Sequence, residues 1–132
     1  MTIPFKRILV PVDLSDCSRA GLRLAFALAE VHGSEIDVLF VLPHERSVID
    51  TQHTLERFVE ATGAPASVVV RSDVDQGEIH ERIILAVTAK ESDLIVIGTH
   101  GRTGRAHSLA GSLAESLVRT AKCPVMTIRE PG

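Results

Sequence analysis

The chain has 132 residues, the length of one ordinary domain, and a domain of this size buries enough surface to need neither disulfides nor a structural metal. Lys plus Arg number 14 and Asp plus Glu 17, a net charge of −3 that disfavours nucleic acid and anionic membrane as partners. Hydrophobic residues make up 45%, with four Phe and no Trp or Tyr, so the expected core is aliphatic.

Cys17 and Cys123 are far apart and lack any C-x-x-C or Cys/His spacing, which reads as packed thiols in a reducing cytoplasm. His44, His53 and His80 show no metal-ligand spacing and read as surface residues. Residues 1–5 are too short and polar for a signal peptide, and no run approaches the roughly 18 apolar residues of a membrane span.

In chain order, Ile8-Leu9-Val10-Pro11-Val12-Asp13 is an apolar run that ends on a carboxylate, as a first strand. Ser15 then offers a helix N-cap, Leu22, Ala25, Phe26 and Ala29 recur at three and four residues, and Gly33 supplies the stop, giving a helix over 16–31. The run 36–42 is the second strand, closed by Pro43, which cannot donate to a ladder. Val48, Leu55, Phe58 and Val59 mark a second helix ending near Gly63. Val68-Val69-Val70 is a short third strand, with residues 73–77 as the turn after it. Ile79, Ile83, Ala86 and Val87 share one stripe of a third helix, 78–90. A fourth strand, 94–97, leads through a long irregular segment to a helix over 112–121 and a last strand, 125–128. Five strands alternating with four helices predict an α/β fold, a doubly wound parallel sheet forming a single domain over 1–132.

In such a sheet the ligand sits beyond the carboxyl ends of the strands, where strand order reverses. Strand one ends at Asp13 and strand four at Gly98, the two ends with conspicuous chemistry. If they are neighbours the order is 3-2-1-4-5. The rival order 2-1-3-4-5 would leave the glycines away from the switch point, so their position selects the first.

The segment after strand four runs Gly98-x-x-Gly101, nine residues, then Gly111-Ser112. Glycines let backbone N–H groups approach a ligand, and the helix that follows adds free donors and a partial positive charge, a combination suited to phosphate. Neither G-x-G-x-x-G nor G-K-[ST] occurs, so this is not a dinucleotide fingerprint or a P-loop. An alternative is that Gly98, Gly101 and Gly104 only shape turns, while Ser112 and Glu115 form an S-x-x-E capping box that starts helix four.

The chain resembles the universal stress protein family. The family pattern G-x2-G-x9-G-[ST] is matched by Gly98, Gly101, Gly111 and Ser112, and the likeness extends to the opening 8–13 run with its Ser15, to Phe40-Val41, to the 93–101 run and to Cys123-Pro124-Val125. The resemblance implies a Rossmann-like 3-2-1-4-5 sheet that binds ATP, with Mg²⁺ or Mn²⁺ bridging the phosphates. It implies that Asp13 contacts ribose or adenine, that Val41 offers backbone groups to adenine and that Pro11 lines the base pocket. Gly98 and Gly101 would pass close to ribose and α-phosphate, and Gly111, Ser112 and Leu113 would meet the outer phosphates. A homodimer built through strand 125–128 is implied as well. The short connection 43–47 departs from many relatives and leaves the adenine side less covered.

Several residues carry two readings. Asp13 is either a ligand contact or part of the cap of helix one with Ser15 and Asp16. Arg102 and Arg105 are phosphate forks or solvated loop cations. His100 and His107 are the nearby proton-transfer candidates, yet neither has an evident carboxylate partner, so no catalytic residue is assigned. The reading that follows is an ATP-binding stress-response regulator with little or no hydrolysis. The alternatives are a slow ATPase or phosphotransferase, and a nucleotide-free dimeric scaffold. A phosphoryl-accepting receiver domain fits less well, because Asp13 lacks an adjacent acid on its strand and the last strand ends in Arg129.

Overall fold

A computed structural model describes residues 5–42, 48–99 and 109–129. Their elements are β1 (Arg7–Pro11), α1 (Asp16–His32), β2 (Glu35–Leu42), α2 (Val48–Thr62), β3 (Val70–Gln76), α3 (Ile79–Ala89), β4 (Leu94–Thr99), α4 (Leu109–Thr120) and β5 (Val125–Arg129). The strands form one parallel sheet in the order β3-β2-β1-β4-β5, the order that the glycines select.

Because side chains alternate across a strand, the continuous apolar runs feed two cores at once. Ile8, Val10, Val38 and Val96 pack with Leu22 and Phe26 of α1 and Leu55 of α2. Leu9, Leu39, Ile95 and Ile97 pack with Ile83 and Val87 of α3 and Leu117 of α4. Burying a Leu or Ile side chain stabilises by roughly 1.5–3 kcal/mol, so these two layers hold the sheet between its helices.

Helix α1 forms as its sequence requires. The Ser15 hydroxyl accepts from the Ser18 N–H at 3.2 Å, and Gly33 takes φ 71 so that its N–H reaches the Ala29 carbonyl at 2.8 Å. At the amino ends of the strands the Asp93 carboxylate accepts the N–H groups of Lys6 and Arg7 at 2.8 and 3.2 Å, tying the start of β1 to β4. Beside it the fully buried Asp37 accepts from Arg7 at 2.8 Å and Arg71 at 3.5 Å, and Arg71 also pairs with Glu35.

Two elements differ from the sequence reading. The third strand is Val70–Gln76 and not 68–70, so residues 73–76, expected in a turn, are paired strand. Ser and Asp are poor strand formers, but β3 is an edge strand whose polar side chains have partners. Arg71 bonds Asp37, Lys90 Nζ bonds Asp73 at 2.6 Å, and the Gln52 amide donates to the Ser72 carbonyl at 2.8 Å. Helix α4 begins at Leu109, not Ser112, so Ser112 lies within its first turn and the Ser112/Glu115 capping box does not start the helix. Leu109 and Ala110 are strong helix formers and extend it backward.

Candidate functional site

β1 and β4 are hydrogen-bonded neighbours, with Ile8 opposite Leu94 and Leu9 opposite Ile95. Beyond their carboxyl ends the chain leaves in opposite directions, from β1 to α1 on one face and from β4 toward α4 on the other, and a crevice opens between them. Pro11, Asp13, Cys17, Ile79, Gly98 and Leu113 line it. Its volume of about 70 Å³ lies below the roughly 300 Å³ at which small-molecule sites usually begin. The described residues alone therefore do not enclose a cavity of small-molecule size.

Four of the residues singled out by sequence meet here: Pro11, Asp13, Gly98 and Leu113. Val41 is buried on β2 in the apolar cluster that Ile79 and Leu113 pack against. Gly111 and Ser112 stand in the first turn of α4, where Ser112 is exposed. Gly101, Arg102, Gly104, Arg105, His100 and His107 lie outside the described residues.

Asp13 is exposed and its Oδ1 accepts the Ser15 N–H at 2.9 Å, so one oxygen shapes the entry to α1. Between them Leu14 takes φ 68, a left-handed conformation that a non-glycine residue adopts at a cost of about 1–2 kcal/mol. Cys17, buried just inside α1, lies with Sγ 3.2 Å from the Ser15 hydroxyl. Cys123 is only half-buried, and burial first, with the Asp93 charge, pushes its thiol pKa up.

Gly98 has a role that its motif does not reveal. A Cβ there would lie 1.7 Å from the Cys17 carbonyl oxygen, and one on Gly21 would lie 2.7 Å from the Gly98 nitrogen. The backbones of α1 and β4 thus touch at the crevice, which keeps Asp13 and Gly98 on one wall. Gly21 escaped the sequence reading. Its signal was an isolated glycine inside a helical pattern, a feature that commonly marks close packing.

Ile79 also escaped it, having been assigned only to the core stripe. Gly77, at φ 143, donates its N–H to the Leu42 carbonyl at 3.1 Å, and Glu78 caps α3 by accepting the Glu81 N–H at 3.1 Å. That turn delivers Ile79 to the crevice beside the end of β2. Carboxylates stand at the α3 start, whereas the first turn of α4 contains no acid. An anion is therefore better tolerated on the α4 side, where the helix dipole places partial positive charge. Among the described residues no group of three or more His, Cys, Asp or Glu could hold a metal ion.

A larger groove of about 580 Å³ lies at the sheet edge between α4 and β5, lined by Ala114, Val118, Thr127 and Arg129 among others. Of the residues named for ligand binding it contains none. Among the described residues no helix is long and apolar enough to cross a membrane.

Comparison with known proteins now bears on this geometry. The family model described as "Universal stress protein family" matches residues 4–129. A universal stress protein of Thermus aquaticus is 30% identical, covering 95% of this chain and 99% of that protein. One from Methanocaldococcus jannaschii is 29% identical, covering 96% and 84%. The structure of the universal stress protein UspA from Lactobacillus plantarum matches with a TM-score of 0.74 at 26% identity, over 97% of this chain and all of that one. A family protein from Arabidopsis thaliana with AMP bound matches at 0.67 and 20% identity, over 96% and 93%. A universal stress protein in complex with cAMP matches at 0.72 and 14%, over 97% and 99%, and these last two likenesses concern the fold. With its 3-2-1-4-5 sheet and a family match from residue 4 to residue 129, this chain belongs to the universal stress protein family.

Proposed function

We propose that this protein is an ATP-binding stress-response regulator, a cytoplasmic module whose interactions depend on the nucleotide and which hydrolyses it little or not at all. The observation that carries the reading is the meeting of Pro11, Asp13, Gly98 and Leu113 in one crevice at the ends of β1 and β4. The full Gly98-x2-Gly101-x9-Gly111-Ser112 spacing continues from that crevice. The relatives that hold AMP and cAMP support a nucleoside phosphate as the guest.

In this reading Pro11, Asp13 and Val41 serve the nucleoside, and Gly98 and Gly101 pass near ribose and α-phosphate. Arg102, Gly111, Ser112 and Leu113 serve the outer phosphates, favoured by the dipole of the α4 start. Mg²⁺ takes one or two protein oxygens and completes its shell from phosphates and water, so in this reading the ion is held chiefly by the nucleotide. Slow or absent hydrolysis is supported by Asp13, the one described carboxylate lining the crevice, whose Oδ1 is engaged by the Ser15 N–H. The two free thiols suit a reducing cytoplasm.

A homodimer through β5 is part of the proposal. The β3 edge is charged and its Ser72 carbonyl is taken by Gln52, while β5 presents an exposed Thr127 and half-buried Val125, Met126 and Ile128. An open edge of that kind pairs with another strand.

Mass analysis of gently purified protein tests the reading, with ATP expected at close to one per chain and phosphate release near the uncatalysed rate. Absence of nucleotide, with none bound on addition, would leave a scaffold. Steady phosphate release abolished by His100→Ala would make it an enzyme.

A further inference from the structure

The crevice has an apolar wall that no family motif supplies. Ile79, the first residue of α3, lines it together with Pro11 and Gly98 and packs on the cluster that contains Val41, Leu39 and Ile97. Its position is fixed from two sides. The Gly77 N–H is bonded to the Leu42 carbonyl, which anchors the β3–α3 turn to the end of β2, and Glu78 caps the helix that follows. Gly77 holds φ 143, a backbone conformation that side-chain-bearing residues rarely adopt.

Charge sets the polarity of whatever rests there. Glu78 and Glu81 stand at the start of α3, so a phosphate on the Ile79 side meets carboxylates, whereas the first turn of α4 holds no acid and carries the positive end of the helix dipole. The apolar part of a ligand is sorted to Ile79 and its anionic part to α4. We propose that Ile79 is a specificity-determining residue, the apolar wall against which the nucleoside part of the ligand rests. The inference rests on the nucleotide reading above.

The test is calorimetry on the full chain with three probes: ATP with Mg²⁺, adenosine and inorganic tripolyphosphate. Ile79→Ala is expected to weaken ATP and adenosine alike, each by about tenfold, the loss of one well-placed apolar contact. Tripolyphosphate should bind as in the unsubstituted protein. Ile79→Val, which keeps most of the wall and is gentler on the fold, should stay within about threefold for every probe. Unchanged adenosine affinity in Ile79→Ala, or an equal loss for tripolyphosphate, would overturn the assignment while leaving nucleotide binding intact. If the unsubstituted chain binds neither ATP nor adenosine, both readings fall together.

Discussion

Gly98 illustrates how one residue can serve two demands. Its motif speaks of phosphate, but its missing side chain is also the space into which the Cys17 carbonyl of α1 fits. Gly98→Ala is therefore expected to destabilise the ligand-free protein by about 3 kcal/mol, as overpacking against a backbone does. Urea denaturation without nucleotide measures it, and a stability unchanged from the parent would confine Gly98 to ligand contact. Asp13 was legible as a strand-end carboxylate, and so was its alternative as part of the α1 entry, which the Ser15 N–H now occupies. Ile79 was not legible as a lining residue of the crevice, nor Gly21 as the close contact of α1 with Gly98. Each reads locally as an ordinary helix position, and only the packing of distant elements gives it its role.

At the scale of elements, charge decides what hydrophobic pattern does not. Strand β3 was misplaced because Arg71, Ser72, Asp73 and Asp75 carry no strand signal. Their pairing is set by β2, by Asp37 and Glu35, and by Lys90. The hydrogen bond from Arg71 first, and its charge second, hold the Glu35 carboxyl below its ordinary value of 4.5. A carboxyl lowered in the folded state contributes stability above its ordinary value, and that contribution disappears as pH falls through the lower one. Glu35→Gln should thus lower the melting temperature slightly near neutral pH, less so in high salt since the pair is half-exposed, and not at all in strong acid. An equal effect at all pH values would assign it to packing. The opposite edge is tested by Thr127→Glu. Across a two-fold pairing of β5 with its copy, like charges face each other, so dimerisation measured by sedimentation should weaken at least about tenfold. A parent chain that sediments as a monomer would remove β5 from the account.

For the whole molecule, the strand order was legible because each apolar run ended in its own chemistry. The carboxylate after β1 and the glycine at the end of β4 make sense only if those strands are neighbours, and they are. The start of α4 was less legible, since Ser112 satisfies a capping pattern yet lies inside the helix. That position makes it a clean probe. A Glu in the first turn of a helix favours the helix through its dipole, so Ser112→Glu should fold as well as the parent while setting a negative charge against incoming phosphate. Calorimetric titration of ATP with Mg²⁺ into both proteins shows whether this crevice and the α4 start together hold ATP. Saturable binding near one nucleotide per chain is expected in the parent, and at least about a hundredfold weaker binding in Ser112→Glu, a difference of roughly 2.7 kcal/mol. Equal affinity in the two proteins, or no heat in either, would contradict this expectation.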